Sequence, residues 1–282
     1  MTPGIGFALG AMLCFGAGDV IYKRAAALRI DASQFVMLQA WVFCPAITIY
    51  AWLTGTLEPN LGSLWGALAG LFSLVGFTNF AASLRDGAVS TNAPIFRLNF
   101  TLTAVLAILL LGETLTVSKA VALVLALAAV WLLLAEPGAA RGNTTLRSLA
   151  RVLVATVAMG FANLFYKLGL KAGALPETMV TMQAWAFCPA ATLFVFLPKL
   201  RFDLTPGAWR PATLAAIALL VGFVLLMHGL LLGAASTLVP VAQMGFVFTA
   251  LIGVALFGER LDARKSFGLL VAAGALALFS FG

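Results

Sequence analysis

Arg97 stands about seven residues into the apolar stretch "APIFRLNFTLTAV", where a charge has little room to reach water. A guanidinium presents a planar fork of donors that can hold a carboxylate bidentately. Asn92, Phe96, Asn99 and Thr103 recur along the same segment at spacings of four, three and four, the period of one helix face. Other polar side chains are set among apolar residues in the same way. Gln39 lies in "QAWVFCPA" and Gln183 in "QAWAFCPA"; Tyr22–Lys23 recurs as Tyr166–Lys167. Asp19 stands one turn before Lys23. His228, the single histidine, sits in "FVLLMHGLL", and Asn79 and Gln243 complete the set. The chemistry these residues offer is recognition of a small polar or anionic solute, with Asp19 as a carboxylate able to carry a proton. Hydrolysis or group transfer would need a metal cluster, a nucleophile beside a base, or paired carboxylates. With one histidine, and carboxylates mostly in turns, no enzyme, metal or other cofactor is expected. Cys14, Cys44 and Cys188 fall inside apolar runs, which argues against a disulfide framework.

The elements that position these groups follow from composition. Hydrophobic residues make up 62% of the 282 residues and charged residues only 10%, with a mean hydropathy of +1.07. A soluble domain carries about 25% charged residues to cover its surface, so this chain must present its surface to lipid. The net charge of +7 comes from Lys and Arg scattered through short gaps, without the continuous basic face that nucleic acid requires. The start, "MTPGIGFALG", lacks a basic leader and a small-residue cleavage site, so the first helix is expected to be retained.

Runs of roughly 20 apolar residues, the length that crosses a bilayer, occur at about 4–24, 34–53, 63–84, 90–111, 116–134, 147–169, 177–197, 211–232, 236–257 and 263–281. This predicts an all-α integral membrane protein of ten transmembrane helices. The fifth and tenth runs carry almost nothing polar and are expected at the periphery, against lipid or a partner subunit. The other eight should surround a central cavity.

The chain also repeats itself. "QAWVFCPA" at 39–46 returns at 183–190, an offset of 144, which also carries Tyr22–Lys23 to Tyr166–Lys167, Gly16 to Gly160 and Asp19 to Asn163. Further on the offset is 146: "GAVSTNAP" at 87–94 returns as "GAASTLVP" at 233–240, "LGETL" at 111–115 as "FGERL" at 257–261, and Arg97 falls on Gln243. Residues 1–135 thus form one five-helix repeat, 136–146 a linker and 147–282 a second repeat. Five is odd, so the second copy must enter the membrane from the opposite side. Lys23, Arg24, Arg29 and Arg85 follow the odd spans of the first half, whereas Lys199, Arg201, Arg210, Arg260, Arg264 and Lys265 follow the seventh and ninth. Placing these cations in the cytoplasm puts both termini outside. Inverted repeats of this kind characterise secondary transporters that rock about a central site.

The five-plus-five arrangement, the "GExL" turns at 112–115 and 258–261 and the proline-led helices at 94 and 240 resemble the drug/metabolite transporter superfamily, in its ten-helix EamA-type branch. The resemblance covers essentially the whole chain. It implies a multi-pass protein of the bacterial inner membrane that moves a small molecule, many members doing so outward. It also implies cytoplasmic termini, against the cation count.

The candidate substrate-binding residues are Arg97, Gln39, Gln183, Lys23, Lys167, Tyr22, Tyr166, Asn99, Phe96, Gln243, His228 and Asn79, with Asp19 the candidate for proton coupling. Each has a packing alternative. The glutamines can satisfy carbonyls freed by Pro45 and Pro189, the Tyr–Lys pairs can anchor at the interface, and His228 can be a hydrogen-bonded packing residue. Trp41 and Trp185, about 200° round from the glutamines, are expected to face away from the cavity. Glu113 and Glu259 read as structural, with Thr116 and Asp262 placed to cap the helices that follow. Asp19 is expected to pair with Lys23, leaving Arg97 for a substrate anion. The favoured function is therefore export of amino acids or other carboxylates by alternating access, with small-molecule substrate and lipid as partners, no nucleic acid, and monomer or homodimer both open. The competing transporter reading is proton-coupled export of cationic drugs through Asp19. A membrane-embedded enzyme and a non-transporting assembly subunit are the readings from other classes.

Overall fold

The computed structural model describes residues 2–28, 30–83, 89–134, 145–197, 205, 207–257 and 263–281, and every regular element in them is helical. In the first half these are α1 (Ile5–Ala27), α2 (Ala32–Leu53), α3 (Leu64–Ser83), α4 (Val89–Arg97), α5 (Asn99–Leu111) and α6 (Val117–Leu134). The second half holds α7 (Leu146–Lys171), α8 (Pro176–Phe196), α9 (Trp209–Leu232), α10 (Ala235–Gln243), α11 (Gly245–Phe257) and α12 (Ala263–Phe281). Seven of them are long and apolar enough to cross a membrane, and shorter apolar runs cover Ile95–Leu111, Val117–Leu133 and Ala235–Thr249. The protein is a multi-pass membrane protein.

Two expected spans, 90–111 and 236–257, are each broken into a pair of helices, immediately after Arg97 and after its repeat mate Gln243. At both breaks the ladder tightens: Leu98 N–H donates to the Ile95 carbonyl at 3.0 Å and Met244 N–H to the Val241 carbonyl at 3.1 Å. These are three-residue closures, the 3₁₀ pattern that marks local departure from the α-helix. Each falls four residues after a proline, Pro94 or Pro240, the residue type that removes a helical donor and loosens the ladder.

The halves are joined reciprocally. Trp41 on α2 donates its indole N–H to Thr192 on α8 at 2.8 Å, and Trp185 on α8 donates to Thr48 on α2 at 3.0 Å. Every member of one bond is the repeat mate of a member of the other, the signature of a twofold relation. As α2 is followed from 41 to 48, the partner on α8 falls from 192 to 185. The two helices are therefore antiparallel, and the twofold lies across them. Thr103 donating to the Gly160 carbonyl at 3.3 Å and Thr249 to the Gly16 carbonyl at 3.1 Å repeat the relation between α5 and α7 and between α11 and α1. Trp41 and Trp185, expected to face away from the cavity, are absent from its wall and bridge the repeats.

Lipid tails are as apolar as leucine, so helix association here depends on close packing, which small residues permit. Ala8, Ala11, Ala69, Ala104, Ala155 and Ala162 are fully buried. Along α3, Gly66 and Gly70 lie against the Met179 and Gln183 carbonyls of α8. The apolar helices α6 and α12 pack on each other, Gly268 against Leu132 and Leu133, and leave Val124, Trp131 and Leu270 exposed for lipid.

A Cβ on Gly70 would stand 2.4 Å from the Gln183 carbonyl oxygen, whereas one on Gly6 meets nothing within 4 Å. Gly70→Ala should lower stability by about 1–3 kcal/mol, the range for overpacking, and Gly6→Ala should not. Thermal unfolding of the purified protein checks this; equal melting of Gly70→Ala and the parent would contradict the packing.

Candidate substrate cavity and its charged flank

Between them α2, α3, α8 and α9 leave a small cavity, partly open to the outside. Its wall is built from repeat mates: Gln39 and Gln183, Ala40 and Ala184, Phe43 and Phe187, Cys44 and Cys188, Phe77 and Phe223, with Leu219 in addition. The cavity therefore straddles the twofold. It is aromatic and uncharged, with two amides as its main polar groups.

Those amides are treated differently. Tyr22 donates its hydroxyl to Gln39 Oε1. The mate of Tyr22, Tyr166, is buried and faces Ser73 without bonding geometry, and Gln183 Oε1 is left without a partner. An unsatisfied buried acceptor costs roughly 1–3 kcal/mol. The residue that carries it lines the cavity, although the oxygen itself is shielded.

Arg97 ends α4, at the break. Its Nη2 donates to Asp19 Oδ2 at 2.6 Å, its Nη1 reaches Gln243 Oε1 at 3.4 Å, and its guanidinium lies 5.9 Å from the centre of the Phe246 ring. The expectation that Arg97 lacks a carboxylate is thereby corrected. Asp19 lies on α1, and α1 packs across the twofold against α10 and α11, so its carboxylate is carried to the α4 break. Asp19 and Tyr22 are three residues apart on α1 and share a face, so a polar track runs from Arg97 through Asp19 and Tyr22 to Gln39. The Lys23 side chain lies outside the described residues.

Other candidates lie apart from the cavity wall. Asn99 is buried between α5 and α7, where Asn163 Nδ2 reaches Asn99 Oδ1 at 3.4 Å and Thr103 Oγ1 at 3.3 Å, and Asn99 itself donates to the Phe96 carbonyl at 2.6 Å. Phe96 stacks on Phe80 with centroids 4.2 Å apart. Asn79 donates to the Val75 carbonyl of its own helix at 2.9 Å. Lys167 donates to the carbonyls of Leu230 and, at 2.6 Å, Gly233, where α9 ends. His228 Nε2 lies 3.3 Å from Glu177 Oε1, a residue that sequence reasoning missed. Its signal was present: Glu177 opens α8 seven residues before Ala184, on the helix face that lines the cavity.

The turn of "GETL" has a physical role. Glu113 Oε1 accepts from Ala235 N–H and Oε2 from Ser236 N–H, both at 2.8 Å, so the first repeat caps the start of α10 in the second. Free amides and the helix dipole at an N-terminus both favour a carboxylate. Thr116 accepts from Lys119 N–H at 3.2 Å and caps α6, as expected. Glu259 and Asp262 lie outside the described residues.

The profile of the EamA-like transporter family matches residues 2–135 and again 147–281. A solved crystal structure of a protein superposes with a TM-score of 0.82 over 98% of this chain and 95% of that one, at 15% sequence identity, a likeness of fold alone. No match is found among curated proteins.

Removing one partner of a buried ion pair leaves the other charge uncompensated. Asp19 is partly exposed, so the cost falls at the low end: Asp19→Asn should destabilise by about 1–3 kcal/mol, and Asp19→Asn combined with Arg97→Gln by less than the sum of the singles. Thermal unfolding of the three variants decides it, and strict additivity would show that the pair does not interact.

Proposed function

The chain belongs to the EamA-like transporter family, and on that premise we propose that it is a secondary exporter of amino acids with apolar side chains, working by alternating access. In this reading ten spans form two five-helix repeats, related by a twofold in the membrane plane, which rock about the cavity. The observation that supports it is a cavity lined by both Gln39 and Gln183, of which Gln39 has a partner and the Gln183 amide oxygen has none. The surrounding phenylalanines suit an apolar side chain. At the end of the polar track, Arg97 and Asp19 present a cation and an anion 2.6 Å apart. A zwitterion has the complementary pair of charges, its carboxylate for Arg97 and its ammonium for Asp19.

Export of cationic drugs driven by protons would call on Asp19 as a free carboxylate. A cation that displaced Arg97 from Asp19 would leave the guanidinium without an anion, whereas a zwitterion brings its own carboxylate, and the uncharged cavity wall holds no other carboxylate.

The test uses L-leucine, with the amine and the acid that each lack one of its charged groups. L-leucine should stabilise the purified protein in a thermal-shift titration and exchange across proteoliposomes, and both analogues should bind at least about tenfold more weakly, since losing one charged hydrogen-bonded contact costs about 1.5–3 kcal/mol. Gln39→Leu and Gln183→Leu should lose binding while melting near the parent. Analogues binding as well as leucine would sink the zwitterion reading, and parallel loss of stability and binding would favour a packing role for the glutamines.

A further inference from the structure

Cys44 and Cys188 are repeat mates, and both line the cavity. Their side chains hydrogen-bond to each other. A residue that touches its own mate lies on the twofold. The crossing of α2 and α8 puts this pair there. Pairing along the two helices runs from Trp41–Thr192 at 2.8 Å to Trp185–Thr48 at 3.0 Å, and residues 44 and 188 fall midway between these bonds. The same threonines hold the two cysteine backbones. Thr48 Oγ1 donates to the Cys44 carbonyl and Thr192 Oγ1 to the Cys188 carbonyl, each at 2.7 Å. Two thiols from different repeats are thus brought face to face by a symmetric set of bonds.

Packing alone would be served by a small apolar side chain at this crossing, as Ala40 and Ala184 serve one turn away on the same wall. Sulfur adds chemistry. Both cysteines are free and only partly buried, on a wall open in part to the outside. Cys14, the third cysteine, packs on α1 against Gly222 and is absent from that wall. Among the described residues no group of three or more His, Cys, Asp or Glu is placed to hold a metal ion, so the pair lacks the further ligands of a closed metal site. A solitary thiol that meets an oxidant can run on to irreversible acids, whereas one with a second thiol beside it is trapped as a disulfide. Side chains that face each other, as these do, are what that bond requires.

We propose that Cys44 and Cys188 are an oxidation site for small hydroperoxides, which convert the pair into a disulfide that ties α2 to α8 and so one repeat to the other. The oxidant must be small because the cavity is. In the first step one sulfur attacks a peroxide oxygen: an S–O bond forms and the O–O bond breaks. The departing hydroxide takes up the thiol proton, leaving a sulfenic acid and one water. The second sulfur then attacks the first. The S–S bond forms, the S–O bond breaks, and hydroxide leaves with the second thiol proton as another water. The two sulfurs give up two electrons between them and one hydroperoxide is reduced. A dithiol reductant reverses the change. The site rests on the geometry of the cysteines and stands apart from the transport reading.

The test treats the purified full-length protein with hydrogen peroxide, denatures it and counts free thiols with a maleimide. The count should fall from three to one and return to three with dithiothreitol. A non-reducing digest should yield the Cys44 peptide joined to the Cys188 peptide. The oxidised protein should also melt several degrees above the reduced one, because a bond closing so long a loop chiefly restricts the unfolded chain. Cys14→Ser should go from two thiols to none and keep the melting shift. Cys44→Ser and Cys188→Ser should form no internal bond and show no shift. The measurement on the parent needs no variant to fold and no substrate to be known. Three thiols surviving peroxide, a loss that dithiothreitol does not reverse, a link to Cys14, or a bond between two chains would each overturn the proposal.

Discussion

Inside the hydrocarbon there is no water to complete a polar group, so each buried donor, acceptor or charge must be met by another part of the chain. The arrangement of this protein follows from that constraint. Arg97 is met by Asp19, 78 positions earlier in the same repeat. Lys167 closes the end of α9 and Glu113 the start of α10. Asn99, Asn163 and Thr103 bond among themselves where α5 crosses α7. These contacts cross between helices far apart in sequence, and those of Glu113 and Asn163 cross between repeats, so some of the polar groups that are costly in lipid also join the two halves. Among the described residues several buried polar atoms remain unmatched, including the hydroxyls of Ser73, Thr101 and Tyr166; Gln183 Oε1 is the one on the cavity wall.

Duplication supplies symmetry, and function can be looked for where symmetry fails. The Trp41–Thr192 and Trp185–Thr48 bonds and the paired cavity residues obey the twofold closely. At three places it is broken by substitution or by pairing: Tyr22 engages Gln39 while Tyr166 leaves Gln183 open, Asp19 faces Arg97 where the mates are Asn163 and Gln243, and Glu177–His228 answers to Ser33 and Ala82. A transporter with two identical halves would treat both faces of the membrane alike. Substitutions of this kind make the two ends of the duplicate chemically different.

Much of the fold was legible in the chain itself. Apolar runs of bilayer length marked the helices, and the returning "QAWxFCPA" and "GExL" segments marked the repeat, because hydrophobic length and duplication are properties of the linear chain. The breaks after Arg97 and Gln243 were not foreseen, although Pro94 and Pro240 stood four residues before them. A proline licenses a break without dictating one. The glutamines were read as facing a common space, and both line one cavity. Asn99, Phe96 and Asn79 shared the same polar or aromatic signature, yet are spent on packing contacts and on their own helices. Residue type shows that a partner is needed and is silent about which partner is met.

Hydropathy, spacing and internal repetition, read from the sequence alone, determined that this is a helical membrane protein of two repeats with polar residues held inside, because burial in lipid constrains every residue locally. Which charge pairs with which was decided only by the tertiary structure. Asp19 stands one turn from Lys23 in sequence, but α1 crosses the twofold to pack on α10 and α11 and brings that carboxylate to Arg97, 78 positions away. Electrostatic partnership depends on distance in space, and in an intertwined duplicate that distance is set by how the repeats pack rather than by their order along the chain.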